Sequence, residues 1–360
     1  MMQSNVVNNY KPGNQPLRVK LKEKLLYWLR LTSHPVVKTY HGYGTSTHCM
    51  LLGHVLDLSP LPRKKYRQNI WTNSLALLRT FMVSAVPNKL VRIKWDNNYI
   101  EARTADDGFF KFEWEPQKDL EPGIYNVEVE LPDPRGDNYP LLACSNGSII
   151  VSHVNQFAVI SDIDDTFLIS HSTSILKRLF VLFTKNAHSR KPFEGVVKHY
   201  QLLAYAGAEK NEPNPFFYVS SSEWNLYNFI LEFSMKNQLP GGVFLLSQLK
   251  NFLEIFKTGS NKHATKFMRI ARVMDAYPVQ KFILLGDDSQ MDPVIYASVV
   301  AHFPGRILCV YLRHVYKKNI TNVKELIEKI EAAGVPCCHF VHSREAIEHS
   351  YSIGLIKRVQ

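Results

Sequence analysis

Residues 157–170 read "FAVISDIDDTFLIS". An apolar run with the character of a buried β-strand is followed at once by three carboxylates, Asp162, Asp164 and Asp165. From here toward the C-terminus the alternation repeats. "PFFYVSSS" (215–222), "GVFLL" (242–246), "KFILLGDD" (281–288) and "RILCVYLR" (306–313) read as further strands. Between and after them lie the helical stretches "GVVKHYQLLAYAG", "EWNLYNFILEFSMKN", "KHATKFMRIARVMDAY", "DPVIYASVVAHF" and "NVKELIEKIEAAG". Continuously hydrophobic strands separated by helices predict a parallel sheet covered on both faces, an α/β domain over 153–360. Ligands in such sheets bind at the carboxyl ends of the strands, so the polar residues that follow each strand share one crevice.

Those residues form a consistent set. Asp162, Asp164, Asp165 and Thr166 follow the first strand, and Ser220, Ser221 and Ser222 the second; Asp287, Asp288 and Asp292 follow the "KFILLGDD" strand, with Lys262 and Lys266 on the helix before it. Clustered carboxylates raise one another's pKa unless a cation holds them, and Mg²⁺ suits an all-oxygen site. Hydroxyls and a lysine beside such an ion can hold a phosphoryl group. One carboxylate can then act as nucleophile while a second moves protons. Helix capping and turn formation explain any single Asp or Ser here, but not the same choice at successive strand ends.

The rest of the chain is different in kind. Residues 1–40 read as a polar tail followed by a basic amphipathic helix, "LRVKLKEKLLYWLRL", suited either to packing on a neighbouring domain or to an anionic membrane surface. Over 41–152, short alternating runs broken by "DDG", "EPG" and "DPRG" predict an antiparallel β-sandwich, interrupted by a helical segment near "NIWTNSLALLRTFM". The exposed "PRKKYR" (62–67) reads as a solvated loop. Five cysteines (Cys49, Cys144, Cys309, Cys337 and Cys338), an odd number without metal-ligand spacing, read as reduced, mostly buried thiols. The formal net charge of +11 implies an anionic partner. No stretch has the length of a membrane span and the first residues lack a signal-peptide core, so the expected address is the cytoplasm.

At this point the residues carry a family resemblance. "DIDDT" is similar to the DxDxT signature of haloacid-dehalogenase-superfamily phosphatases, "FFYVSSS" to their second motif and "GDDSQMD" to their fourth. "YVSSSEWNLYNF" and "KFILLGDDSQMDPVIY" resemble, more narrowly, the Mg²⁺-dependent phosphatidate phosphatases of the actin-patch type, and "YHGYGTSTHCMLLGHVL" and "DDGFFKFEWE" resemble that group's β-rich leader. The resemblance implies a Rossmann-like catalytic domain without a large cap, preceded by a β-sandwich-like domain. It implies Asp162 as nucleophile, Asp164 as general acid/base with its backbone carbonyl on the metal, and Thr166 and Ser220 as hydrogen-bond donors to the phosphoryl oxygens. Ser221 and Ser222 would line the substrate, and Asp162, Asp164, Asp287 and Asp292 would hold Mg²⁺. Lys266, twelve residues before Pro278, matches the family spacing of the third-motif lysine better than Lys262 does. Asp288 stands where the group generally has Ser; Asp165 and Asp288 are expected in solvated or supporting positions.

Only 53 residues separate Thr166 from Ser220, and the crossover helix and second strand use about half of them. An open site suits a phosphate carried on something large. "ILKRLFVLF", with Lys177 and Arg178 and the nearby Lys185, Arg190 and Lys191, combines bulky apolar and basic residues, as a peripheral contact with a phosphatidate-bearing membrane requires; an ordinary packed helix with a basic flank explains it equally. Three functions stay open: a phosphatidate phosphatase at an anionic phospholipid surface, with no nucleic-acid role; an open-site phosphatase for phosphoproteins or soluble esters; and a non-enzymatic lipid-binding scaffold. Retention of Asp162 and Asp164 argues against the last.

Overall fold

A computed structural model of the chain describes residues 26, 29, 31–32, 34–60, 79–153, 156–163, 193–208, 212–249, 262–288, 291–315 and 320–357. The described residues divide into two compact units: those within 26–60 and 79–151, with 249, form the first, and those within 152–248 and 262–357 the second. The tail and basic helix before residue 26, "PRKKYR", most of "NIWTNSLALLRTFM", and Asp164, Asp165, Thr166, Lys177, Arg178, Lys185, Arg190 and Lys191 all lie outside the described residues.

In the first unit nine strands join in one sheet: β1 (Val36–Thr39), β2 (Gly42–Gly44), β3 (Cys49–Leu58), β4 (Ser84–Ala85), β5 (Leu90–Trp95), β6 (Asn98–Arg103), β7 (Phe109–Trp114), β8 (Gly123–Leu131) and β9 (Ala143–Val151). The order β1-β3-β2-β9-β8-β5-β6 has β4 and β7 attached to β3. Alternation made β5, β6, β7 and β8 legible: in β7 the burial runs intermediate, buried, exposed, buried, exposed, buried, as a sheet with one face in the core requires. Phe110, Phe112, Val91, Ile93, Val127, Val129 and Ile149 meet in that core. One expectation is corrected. The sheet is mixed, not antiparallel throughout, because β2 runs parallel to β9 (Gly42 opposite Ile149).

The second unit holds a six-stranded parallel sheet: β10 (Ala158–Ser161), β11 (Phe216–Glu223), β12 (Gly242–Ser247), β13 (Phe282–Asp287), β14 (Ile307–Arg313) and β15 (Cys337–Phe340). Their order is β12-β11-β10-β13-β14-β15, and every neighbouring pair is parallel. The described helices are α1 (Val196–Ala204), α2 (Tyr227–Lys236), α3 (Lys262–Ala276), α4 (Asp292–His302), α5 (Ile320–Ala332) and α6 (Ser343–Ser352). All residues of β10 and β13 are buried, which is why both read as unbroken apolar runs. The chain winds outward from β10 through β11 to β12, then returns to β10's other edge as β13. The order therefore reverses between β10 and β13, and the crevice of an open α/β sheet forms at that reversal.

Strand β15 and helix α6 extend the domain beyond the elements read from sequence. Helix α6 packs a buried polar network onto the sheet. His199 of α1 bonds Ser350 Oγ through Nε2 (2.9 Å), Tyr311 OH shares that hydroxyl (2.6 Å), and the His199 and Tyr311 rings meet edge to face at 5.0 Å. Burial, with the positive fields of Arg313 and His349 adding to it, pulls His199 down to about 3 from its usual 6.5. A depressed histidine means that between those values the unfolded chain binds a proton that the folded chain refuses. Its stabilising contribution is complete above pH ~6.5 and is lost as pH falls toward 3. Lowering the pH from 7 to 5 is expected to cost about 2 kcal/mol through this group, and His199→Gln should flatten the urea-unfolding difference by that amount. An unchanged difference in the variant would show that other groups carry it.

The five cysteines are free. Cys49 and Cys309 are buried, Cys337 and Cys338 half-buried and Cys144 exposed, and burial pushes the Cys49, Cys337 and Cys338 thiols up to about 12.

Candidate functional site

Asp162 leaves β10 at the reversal point with its backbone N–H donating to Leu285 of β13 (2.8 Å). Asp287 ends β13, and Asp292 opens α4 five residues later. These three residues are at most 1% exposed, and one carboxylate oxygen from each lies within 4.8 Å of the others. Helix α3 places Lys266 among them. Its ammonium donates to Asp162 Oδ1 (2.6 Å) and to Asp292 Oδ1, and the lysine is itself 3% exposed. Burial pulls the Lys266 pKa down, but the Asp162 and Asp292 carboxylates outweigh it and hold the group above its ordinary value. The lysine therefore stays charged at any working pH.

Two local features make this packing possible. Pro293 sits in the first turn of α4, where a missing N–H costs nothing, and Asp292 is not spent on a side-chain cap. Gly286 gives Asp292 room: a Cβ there would stand 2.7 Å from Asp292 Oδ2 and 2.7 Å from a ring carbon of Tyr296. Tyr296 is immobilised by its hydroxyl, which donates to Leu285 O (2.7 Å). Gly286→Ala should therefore force Asp292 aside and lower stability by about 1–3 kcal/mol, measured by urea unfolding. A neutral result would mean that α4 can shift freely.

Among the described residues, three buried carboxylates meet here with one ammonium, Lys266, and the nearby Arg313 guanidinium. Clustered carboxylates are costly in a low-dielectric site, and an all-oxygen donor set fits a hard divalent cation. Asp162, Asp287 and Asp292 are the described residues that could hold one.

The hydroxyl residues lie within β11 rather than after it. Ser220 is fully buried, and its Oγ accepts the Ser222 backbone N–H (2.8 Å). The Ser221 carbonyl accepts from Ser247 Oγ (2.9 Å). The sequence reading missed Arg269, whose guanidinium donates to the Ser220 carbonyl (3.1 Å). The signal was available: Arg269 stands three residues beyond Lys266, on the same face of α3. Lys262 begins α3, one turn before Lys266, and its side chain lies outside the described residues. Asp288 is corrected on one point. Of the two positions expected for it, solvated or supporting, the solvated one does not hold: Asp288 is 2% exposed and bonded to His314 and His339.

With this geometry in place, the comparison with known proteins is informative. Residues 157–314 match the family of the phosphatidate phosphatase APP1 catalytic domain. The match bears out the resemblance to the actin-patch type read from the motifs, and the matched segment contains Asp162, Ser220, Lys266, Asp287 and Asp292. Phosphatidate phosphatase APP1 of Saccharomyces cerevisiae is 28% identical over 205 residues, covering 55% of this chain and 32% of the yeast protein. An uncharacterized protein of Schizosaccharomyces pombe is 25% identical over 189 residues, covering 49% of this chain and 29% of that protein. The chain thus spans about a third of the length of these relatives. Among solved structures, a carbohydrate acetylesterase from Xanthomonas citri aligns at TM-score 0.28 and 10% identity over 83% of this chain and 66% of its own; a likeness that weak carries no argument.

Proposed function

We propose that the chain is a Mg²⁺-dependent phosphatidate phosphatase with a haloacid-dehalogenase-type catalytic domain lacking a large cap, releasing diacylglycerol and phosphate from a lipid phosphomonoester. One observation carries the reading: Lys266 and the carboxylates of Asp162, Asp287 and Asp292 meet, buried, at the reversal point of a parallel sheet, inside the segment that matches the APP1 catalytic domain.

Asp162 is the nucleophile: one carboxylate oxygen attacks phosphorus and the ester bond to the alkoxide breaks, leaving an aspartyl-phosphate. Lys266, pressed against the same carboxylate, keeps it ionised and aimed, and its charge faces the phosphoryl oxygens as transfer proceeds. Asp164 gives its proton to the departing alkoxide, then takes one from the water that cleaves the phospho-aspartate. Thr166 and Ser220 hydrogen-bond the phosphoryl oxygens, with Arg269 bracing the Ser220 backbone. Asp162, Asp287, Asp292 and the Asp164 carbonyl would hold Mg²⁺, which when bound neutralises phosphoryl charge. Lys177, Arg178 and their basic and apolar neighbours provide a peripheral membrane contact for a cytoplasmic enzyme, with phosphatidate rather than nucleic acid as the anionic partner. No described helix is long and apolar enough to cross a membrane.

The test is Mg²⁺-dependent release of inorganic phosphate from phosphatidate in detergent micelles, run beside a soluble aryl phosphate. Turnover of the lipid supports the assignment. Turnover of the aryl phosphate alone would retain the chemistry and overturn the lipid, making the chain an open-site phosphatase for soluble esters or phosphoproteins.

A further inference from the structure

The carboxyl ends of β13, β14 and β15 carry a second set of metal-ligating side chains, separate from the Asp162 cluster. Asp288 follows β13, His314 follows β14, and His339 lies within β15. Their donor atoms all lie within 4.8 Å of one another. His314 Nδ1 and His339 Nε2 both bond the same oxygen, Asp288 Oδ2, the second at 3.0 Å, and the two rings stand edge to face with centroids 5.3 Å apart. The other Asp288 oxygen is fixed by the Val315 backbone N–H (2.7 Å). The Asp288 side chain is 1% exposed, those of His314 and His339 20% and 27%. The carboxylate thus forms the floor and the imidazoles the rim of a site open to solvent on one side.

We propose that Asp288, His314 and His339 bind one divalent transition-metal ion of the Zn²⁺ class. Two imidazoles and one carboxylate are the donor set that favours borderline transition metals over Mg²⁺, and three protein ligands with an open side leave a position for water. Ligands on such an ion, at bond lengths of about 2.0–2.2 Å, stand about 3.3–3.5 Å apart, so the imidazoles need to back away from Asp288 by less than about 1 Å. To ligate an ion, His314 Nδ1 and His339 Nε2 must each present a lone pair, with any ring proton held on the other nitrogen. The Val315 N–H that orients the carboxylate is the supporting hydrogen bond that metal ligands ordinarily have. Consecutive residues are thereby divided between two centres: Asp287 faces the all-oxygen cluster and Asp288 the nitrogen-bearing one. An ion at Asp288 ties together three neighbouring strand ends, one of which carries Asp287.

This inference does not rest on the proposed phosphatase activity, and its test reads metal rather than turnover. The full chain, without a histidine tag, is stripped with chelator, loaded with Zn²⁺ in excess Mg²⁺, passed through gel filtration and assayed for zinc per chain by mass spectrometry. About one equivalent is expected. Asp162→Asn/Asp292→Asn should retain it. The double variant His314→Ala/His339→Ala should bind more than ~100-fold more weakly, since loss of an outer-shell partner alone costs 10–100-fold. Wild-type protein emerging without zinc, retention by the double histidine variant, or loss in the double aspartate variant would each overturn the proposal. If the double histidine variant does not fold, X-ray absorption of the zinc-loaded wild type decides. Two imidazoles and no sulfur in the first shell are expected; sulfur, or fewer than two imidazoles, would overturn it.

Discussion

Asp162→Asn is expected to reduce phosphate release from phosphatidate by at least ~10⁴-fold, to the level set by binding and electrostatics alone. The amide matches the carboxylate in shape and can still accept the Lys266 hydrogen bond now made at 2.6 Å, so the fold should hold. What it lacks is the negative oxygen that attacks phosphorus in the proposed reaction. The effect should therefore fall on kcat, with KM little changed, because ground-state contacts to the lipid remain. Intact-mass analysis after a rapid acid quench should detect a phosphorylated wild-type chain and none in the variant. Retention of activity by Asp162→Asn would remove Asp162 from the mechanism, whichever ester the protein cleaves.

Lys266→Ala should be costly in two ways. The ammonium lies against Asp162 and Asp292, and all three side chains are at most 4% exposed. Removing one partner of a buried ion pair leaves buried carboxylates without that counter-charge, a loss of about 3–5 kcal/mol. Activity should fall by about 10³-fold or more as well, since the proposed mechanism sets this charge against the transferring phosphoryl group. Lys266→Arg should not restore function, because a planar guanidinium does not fit a niche shaped for a compact ammonium. Lys266→Met/Asp292→Asn supplies the control. Removing one negative charge along with the positive one should recover part of the stability while activity stays low. Urea unfolding of the two single variants and the double variant closes the cycle. Additive losses would show that the pair is not coupled and would contradict the geometry.

Much of this arrangement was legible before the structure. Strands β10, β11, β13 and β14 are buried on both faces and so read as unbroken apolar runs, and the polar residues at their ends stood out against them. In the leader, β3, β5, β6, β7 and β8 were legible from alternating or apolar runs; β1, β4 and β9 were not read as strands, and neither was β2. It is three residues, "GYG", and its parallel partner β9 lies about a hundred positions away, a pairing that no local propensity encodes. Strand β15 was missed for a related reason: "CCHF" is short and mostly half-exposed, and its neighbour α6, "SREAIEHSYS", is polar enough to pass for a loop.

The sequence by itself determined the α/β class of the second unit, the β-rich character of the first, and the chemical types gathered at the strand ends, because burial and polarity are written residue by residue. Only the tertiary structure decided which carboxylates face one another. The winding reverses between β10 and β13, and this brings Asp162, Lys266, Asp287 and Asp292, spread over 131 positions, into one buried cluster. The same winding sends Asp288 the other way, toward His314 and His339. Adjacent carboxylates at the end of a strand look equivalent in one dimension; the pleat, which turns successive side chains to opposite faces, gives them different partners.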